Sequence, residues 1–131
     1  MDKVDCWESK LFDYVEECHS KKFRYGSHDC VKFSMKGVEA MTGRNLLKDH
    51  GFGWKNRSEA QEWLQKKSII EWFDEHLEER PIKLLQRGDL VCKQTDDGLA
   101  MGLWLSPKAV FLNTDGLHLV DRTHILKAWS Y

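Results

Sequence analysis

Apolar residues in the first part of the chain recur three and four positions apart, which is the period of an amphipathic helix. This spacing predicts a first helix from Trp7 to Cys18, followed by a polar run at residues 19–22. The apolar stripe of this helix, expected to face the core, consists of Trp7, Leu11, Phe12, Tyr14, Val15 and Cys18. A second helix is predicted from Cys30 to Gly43, because glycine readily adopts the left-handed conformation of a C-cap. Its apolar face consists of Val31, Met35, Val38 and Met41.

Two further helical segments are predicted before the chain reaches Pro81. Residues 58–61 (Ser-Glu-Ala-Gln) have the form of a capping box that begins at Ser58, in which the Ser and Gln side chains satisfy free N–H groups at a helix start. Residues 69–77 continue an apolar face, either as a second short helix or as an extension of the preceding one. No helix is expected to pass Pro81, since proline lacks the N–H donor and restricts the residue before it.

Beyond Pro81 the pattern changes to short apolar runs separated by turn residues. These runs lie at residues 84–85, 90–92, 99–105, 109–112 and 117–120. Asp97-Gly98 and Asp115-Gly116 stand between neighbouring runs, and an Asp-Gly pair there is a strong hairpin signal. The prediction is an α+β fold in one domain spanning residues 1–131. Its N-terminal helices pack on a C-terminal antiparallel sheet of about four or five short strands.

The composition is that of an ordinary globular protein and argues against two classes of function. Hydrophobic residues make up 41% and charged residues 31% of the chain, and no run reaches the ~18 apolar residues of a membrane span. The net charge of −1 comes from mixed acidic and basic residues without a basic face, so no nucleic-acid partner is expected. The first residues do not resemble a signal peptide, so synthesis in the cytoplasm is expected.

The cysteines are interpreted as one special thiol and three buried residues. They are Cys6, Cys18, Cys30 and Cys92. They contain no Cys-x-x-Cys pair, which argues against a disulfide framework and a zinc knuckle in a chain without a secretion signal. They also lack the close spacing of common iron–sulfur motifs. No metal and no cofactor is therefore expected.

Cys30 stands where a polar, glycine-containing loop meets the predicted second helix. N–H groups in the first turn lack intrahelical partners and the helix dipole is positive there, so a thiolate is favoured and the thiol pKa is expected to fall. The alternative is that Cys30 is a small buried residue that packs the helix start. Asp29 is interpreted as a carboxylate that stabilises the helix terminus. Gly26 is interpreted as a residue that lets the chain turn close against the sheet, and Asp89 as a turn residue.

Several short motifs follow one another in a defined order along the chain. They are residues 25–31 (Tyr-Gly-Ser-His-Asp-Cys-Val), residues 87–91 (Arg-Gly-Asp-Leu-Val), residues 101–105 (Met-Gly-Leu-Trp-Leu) and the pair Ala128-Trp129. In this order and spacing they resemble the NlpC/P60 branch of the papain-like cysteine peptidases, and more narrowly the small phage tail proteins of that superfamily. The resemblance covers most of the chain, from Phe23 to Trp129, and implies a papain-like fold.

The resemblance assigns the functional roles of the superfamily to individual positions of this sequence. The nucleophile of the superfamily falls on Cys30. The base is normally the histidine that begins a strand of pattern His-Val-Gly-Ile-Tyr-Leu-Gly, and aligning that strand on residues 101–105 puts Ala100 at the histidine position. The residue that orients the imidazole falls near Asn113. Alanine cannot take a proton, and losing the partner of an acyl-transfer nucleophile costs several orders of magnitude in rate.

Three histidines are candidate substitutes for the missing base. His28 precedes Cys30 by two positions, and His118 lies on the strand after the last Asp-Gly turn. His124 lies near the C-terminus. Histidines in such positions are more often surface or capping residues than relocated bases. The interpretation therefore favours a protein without hydrolase activity.

The resemblance then implies a phage tail-tip or baseplate-hub protein, either a structural subunit or a tail-assembly factor, assembled in the host cytoplasm and located in the virion tail. Its partners would be other tail-tip and baseplate proteins. The alternative is an active cysteine peptidase or amidase that degrades peptidoglycan during phage entry, with Cys30 as nucleophile and helix-start N–H groups as oxyanion donors. A third alternative is a non-viral binding module, such as an immunity or inhibitor protein, because a fold does not determine a function.

Overall fold

The computed structural model describes residues 2–49, 51, 53–96 and 98–131. The helices are α1 (Trp7–Cys18), α2 (Cys30–Thr42), α3 (Leu46–Asp49), α4 (Arg57–Lys66) and α5 (Ile69–His76). The strands are β1 (Glu78–Glu79), β2 (Leu90–Thr95), β3 (Gly98–Trp104), β4 (Ala109–Asn113), β5 (Gly116–Val120) and β6 (Lys127–Ser130). Short 3-10 turns cover Ile82–Leu84 and Arg122–His124. The predicted α+β class, with helices preceding most of the sheet, is confirmed.

The strands form one antiparallel sheet in the order β1-β6-β2-β3-β4-β5. Two hairpins make up most of it. β2 pairs with β3 up to Thr95 and Gly98, and β4 pairs with β5 up to Asn113 and Gly116. The second turn confirms the hairpin predicted at the Asp-Gly pair there. Asp97 of the other predicted turn lies outside the described residues.

The sheet differs from the expectation at two segments. β1 lies before Pro81 and pairs with β6, so the sheet begins earlier than predicted. Residues 84–85, predicted as a strand, lie instead at the end of a 3-10 turn, where Leu84 is 62% exposed. An apolar pair is too short for its period to be read, so the local pattern could not decide between strand and turn.

One face of the sheet packs against α2, which in turn packs against α1. Gly37 of α2 lies so close to β3 that a Cβ atom there would come within 2.4 Å of Cδ1 of Leu103. The missing side chain lets the helix approach the strand closely. The buried side chains of α2 include Val31, Phe33, Met35, Val38 and Met41. This packing sets the first residue of α2, Cys30, beside Met101 of β3.

The predicted first helix is confirmed, but its apolar stripe is not buried throughout. Leu11, Val15 and Cys18 are buried, whereas Phe12 is 42% exposed. Successive residues of an α-helix are rotated by about 100°, so Leu11 and Phe12 cannot both point at the same part of the core. The expectation that Phe12 faces the core is wrong.

The start of α4 differs from the predicted capping box. Its N-cap is Asn56, whose Oδ1 accepts the N–H of Glu59 at 3.0 Å. Glu59 in turn accepts the N–H of Lys55 at 2.6 Å, so the reciprocal bonds form two residues earlier than expected and Ser58 lies inside the first turn. Ser68 caps α5 as a separate helix. This cap shows a second short helix rather than an extension.

The opposite face of the sheet carries a second apolar cluster under the two 3-10 turns. It consists of Val91, Trp104, Ala109, Phe111, Val120, Ile125 and Ala128. Ile82 and Leu85, at the first turn, pack against it. Within the described ranges, no helix has both the length and the apolar character needed to span a bilayer.

Candidate functional site

Asp29 is buried at the start of α2, immediately before Cys30. Its Oδ1 accepts the N–H of Lys32 at 2.9 Å, which is the N-cap bond of the helix. Its Oδ2 accepts the N–H of Gly26 at 2.9 Å and the indole N–H of Trp54 at 2.7 Å. Three donors thus satisfy the carboxylate. The interpretation of Asp29 as a carboxylate that stabilises the helix terminus is confirmed.

Gly26 lets the loop before Cys30 approach another segment. It has φ 88°, and a Cβ atom there would come within 2.2 Å of the carbonyl oxygen of Lys55. Any side chain at this position would clash with the backbone of Lys55, and its residue would also have to adopt an unfavourable positive φ. The close approach is to the segment before α4, so the expectation that it is to the sheet is wrong.

Cys30 opens onto a cavity of about 400 Å³ at the start of α2. Ala100 of β3 and Asn113 at the end of β4 line the same cavity. The lining of one cavity thus includes the three positions to which the resemblance assigns a nucleophile, a base and an orienting residue, although Ala100 packs against the apolar cluster on the opposite face of the sheet. Other side chains around this Cys30 cavity include Tyr25, Trp54, Leu64, Lys93, Asp96, Phe111 and His118.

The Cys30 thiol is not activated. Desolvation by burial is the largest influence on it and raises its pKa to about 11. The backbone N–H groups of Met101, Val31 and Cys30 itself act in the opposite direction, and the Asp29 charge adds to the rise in pKa. The expected fall of the thiol pKa at the helix start is therefore wrong, because loss of solvent outweighs the N–H groups of the helix terminus.

His118 lines the cavity, but its accessible lone pair faces a cation. Nε2 of His118 lies 2.9 Å from Nζ of Lys93, which also sits 4.9 Å from the ring centroid of Phe111. An ammonium group only donates, so Nε2 is the acceptor and the proton of the neutral imidazole lies on Nδ1. Burial, and then the Lys93 charge, lower the pKa of His118. The arrangement keeps His118 neutral and occupies the nitrogen that a base would use.

The other two candidate histidines lie away from the Cys30 cavity. The buried ring of His28 contacts Phe33 edge-on, with ring centroids 6.2 Å apart. Burial is the largest cause that lowers its pKa, followed by the charges of Lys21 and Lys36. His124 is exposed in the second 3-10 turn. Among the histidines that the structure describes, His118 alone lines the cavity.

Asn113 reaches the cavity but already has a structural role. Its Oδ1 accepts the N–H of Asp115 at 2.9 Å within the β4–β5 turn. The side chain is exposed, and no described histidine is bonded to it. Asn113 is therefore a turn residue at the position where the resemblance places an orienting residue.

The family comparison covers nearly the whole chain. Residues 2–131 match the family described as a domain of unknown function, DUF6950. This chain belongs to the DUF6950 family. No curated protein matches its sequence. The match runs from before α1 to beyond β6, so the Cys30 cavity lies entirely within the DUF6950 domain.

The thiols of this DUF6950 domain are distributed differently from the expectation. Cys18 and Cys92 are buried and Cys30 is partly exposed, whereas Cys6 is exposed just before α1. All four are free thiols. Two cysteines rather than three are therefore buried packing residues. Cys6 precedes the first helical turn, where the apolar spacing of α1 no longer constrains it.

Asp89 of the DUF6950 domain is a buried turn residue, as interpreted from the sequence. Its Oδ2 accepts the N–H of Gln86 at 2.9 Å and Nε of Arg80 at 3.0 Å. It does not line the Cys30 cavity. The Arg80 pairing compensates the buried charge and anchors the segment that leads into β2.

Two residues of the site were missed by the sequence analysis. Lys93 contacts the candidate base His118, and Trp54 donates to Asp29 beside the thiol. Lys93 directly follows the apolar run 90–92. A lysine that continues a predicted buried strand is unusual, and this could have marked Lys93 as a candidate functional residue. Trp54 carried no such signal, because its partner lies in another segment of the chain.

Proposed function

We propose that this protein is a catalytically silent papain-like domain of the NlpC/P60 type that serves in a phage tail tip or baseplate hub, as a structural subunit or an assembly factor. The carrying observation is the convergence of Cys30, Ala100 and Asn113 on one cavity. Positions assigned by a chance match would have no reason to line the same cavity. The convergence supports the resemblance but not an active Cys–His pair.

The order of elements gives further support to the papain-like interpretation. The aromatic-Gly-x-x-Asp-Cys motif ends where α2 begins, and the pair Gly88-Asp89 directly precedes β2. The pair Ala128-Trp129 lies in β6, the last strand. The cysteine motif thus stands at the start of a helix and the Ala-Trp pair in the final strand, as the resemblance implies, whereas the Gly-Asp pair opens the second strand rather than the first.

The chemistry of the Cys30 cavity supports the absence of activity. With a pKa of about 11, roughly one Cys30 thiol in ten thousand is ionised at pH 7. The base position is Ala100, and the imidazole of His118 presents its lone pair to Lys93. A cysteine hydrolase needs the reverse arrangement, in which a base accepts the thiol proton and stabilises the thiolate.

The second candidate function is an active peptidase or amidase that cleaves peptidoglycan. One observation favours it, since His118 lines the cavity that Cys30 opens onto. Activity would require Lys93 to leave His118. Digestion of purified peptidoglycan by the wild type and by Cys30→Ser separates the two functions. We expect the two proteins to release equal background amounts of soluble fragments, and release that depends on Cys30 would establish the hydrolase instead.

The tail placement is tested by locating the protein in purified particles. Mass spectrometry of virions and of tail-assembly intermediates is expected to detect it in one or both. An early phage protein that is not part of the particle serves as the control for carry-over during purification. Absence of the chain from both preparations, at a sensitivity that detects a protein present in a few copies per particle, would show that the proposed placement is wrong.

A further inference from the structure

The two edges of the sheet are built differently. At one edge, β1 is only two residues long, consists of two exposed glutamates and is followed closely by Pro81. At the other edge, β5 has the sequence Gly-Leu-His-Leu-Val and contains neither a carboxylate, a lysine or arginine, nor a proline. Short length, charge and proline are the means by which edge strands avoid pairing with another chain. Only the β1 edge has them.

An apolar groove of about 300 Å³ runs between β5 and α1. Its apolar lining consists of Phe12, Val15, Leu105, Val110, Leu117 and Leu119. Leu119 is 63% exposed, and Phe12 is the residue whose expected burial the fold contradicts. Two large apolar side chains therefore lie exposed beside the open strand edge.

The position of Phe12 is held by its neighbours. The guanidinium carbon of Arg87 lies 5.6 Å from the Phe12 ring centroid, and Nη1 of Arg87 bonds to Glu8 at 2.5 Å. The cation covers one face of the ring and leaves the remainder directed to solvent beside the groove. Phe12 is thus a supported part of this surface.

We propose that β5 pairs with β5 of a second copy of this chain, antiparallel and centred on His118, so that the two sheets join into one. Backbone N–H and C=O groups of alternate residues in an edge strand point away from the sheet, and such a pairing satisfies them. A two-fold axis perpendicular to the joined sheet is the symmetry that this contact requires. The inference does not depend on the proposed tail function.

The sequence of β5 is suited to a second copy because it is symmetric about His118. In the centred register, Leu117 of each copy lies opposite Leu119 of the other, and Gly116 lies opposite Val120. Both leucines line the groove beside α1, so the two grooves meet across the axis and cover Leu119 and Phe12. A second copy supplies this leucine pairing by symmetry.

The centred register places Asp115 of each copy opposite Asp121 of the other, and the Lys108 ammonium bonded to Asp121 compensates one carboxylate of each pair. The two His118 rings face each other, and because burial and Lys93 lower the pKa of His118, both are neutral at pH 7. The two Lys93 ammonium groups are each bound to the His118 of their own copy. Their repulsion opposes pairing, but salt screens it over about 8 Å at physiological ionic strength.

The first test is the oligomeric state in solution. Sedimentation velocity from about 1 to 100 µM is expected to show a monomer–dimer equilibrium for the wild type, and Leu119→Lys should weaken it by about 100-fold or more. Leu84→Lys is the matched control, since Leu84 is equally exposed but lies on a 3-10 turn. Circular dichroism confirms that each variant is folded. A monomeric wild type, or equal effects of the two lysine variants, would overturn the proposal.

The second test addresses the register. His118→Cys, in a Cys6→Ser background that removes the exposed thiol, should form an intermolecular disulfide under mild oxidation. Residues facing each other across an antiparallel axis have Cα atoms about 4.5 to 5.5 Å apart, which is within disulfide range. Leu84→Cys in the same background is the control, since it measures how fast disulfides form by random collision between molecules. Cross-linking at 118 that is no faster than at 84 would refute the centred register and with it the proposed pairing.

Discussion

Nζ of Lys93 lies 2.9 Å from Nε2 of His118 inside the Cys30 cavity. The contact joins β2 to β5 across two intervening strands of the sheet. It gives the ammonium an acceptor and fixes the tautomer of the imidazole. It also determines the chemistry of the cavity, because the described histidine that lines it has no free lone pair at Nε2 with which to accept the Cys30 proton.

Removing the Lys93 charge is expected to raise the pKa of His118. A nearby cation disfavours a second positive charge, so Lys93→Met should increase the proton affinity of the ring. Burial remains as the larger cause, so the pKa should stay below its ordinary value. NMR titration of the imidazole between about pH 4 and 8 measures the change. Lys48→Met, at an exposed position of α3, should leave the His118 titration unchanged.

The alkylation rate of Cys30 is expected to rise with pH without a plateau. Because the thiol pKa is about 11, the reactive thiolate should increase about tenfold for each pH unit throughout the range from 7 to 10. The rate can be followed by mass spectrometry of the peptide that contains Cys30, with Cys30→Ser as the assignment control. A plateau below about pH 8.5 would instead reveal an activated thiol.

Restoring a base at position 100 provides a direct test of what the cavity lacks. Ala100→His places an imidazole on the lining of the Cys30 cavity. An imidazolium beside the thiolate should lower the thiol pKa and raise the alkylation rate of Cys30 at pH 7 by about tenfold per unit of pKa. Ala100→Gln has a similar size without a titratable group and is the matched control. Equal rates in the two variants would contradict the assignment of position 100.

Loss of the Asp29 carboxylate is expected to destabilise the protein strongly. Asp29→Ala removes the N-cap bond and leaves the Gly26 N–H and the Trp54 indole N–H without their acceptor. The free energy of unfolding should fall by about 3 kcal/mol, since buried donors left unpaired add to the cost of a lost cap. Urea denaturation measures the change. Asn56→Ala removes an exposed cap and should cost about 1 kcal/mol; equal losses would show that burial of Asp29 contributes little.

Gly102 is expected to tolerate no side chain. A Cβ atom there would come within 2.5 Å of the carbonyl oxygen of Val110 on the paired strand β4. Gly102→Ala should therefore lower the unfolding free energy by about 1 to 3 kcal/mol through overpacking against backbone. Gly53→Ala is the control, because its nearest contact is the flexible Nζ of Lys32. A thermal midpoint for Gly102→Ala that matches the control would disprove the close approach.

Much of the secondary structure could be predicted because the signals are local. The start of α2 follows from an Asp29 cap before a helical apolar period, and its end follows from Gly43 in the left-handed conformation. The start of α4 was predicted wrongly because two nearby residues could each serve as its N-cap. Asn56 and Ser58 are both good caps, and only the reciprocal bonds with Glu59 decide between them.

The site was only partly predictable because its contacts are long-range. Cys30 and Asp29 were identified from adjacent residues, and Ala100 and Asn113 from the resemblance. The contacts Lys93–His118 and Trp54–Asp29 each join residues 25 positions apart, and no local period encodes them. Which residues meet in these two contacts depends on the order of the strands in the sheet and on the packing of the segment before α4.

The sequence by itself determined that a cysteine begins a helix in an α+β protein and that an alanine stands where the resemblance requires a base. Only the tertiary structure decided how reactive that cysteine is. The helix terminus is a local property and favours the thiolate, but desolvation depends on every segment that packs around the sulfur. Because those segments come from distant parts of the chain, the direction of the thiol pKa shift could be decided only by the complete fold.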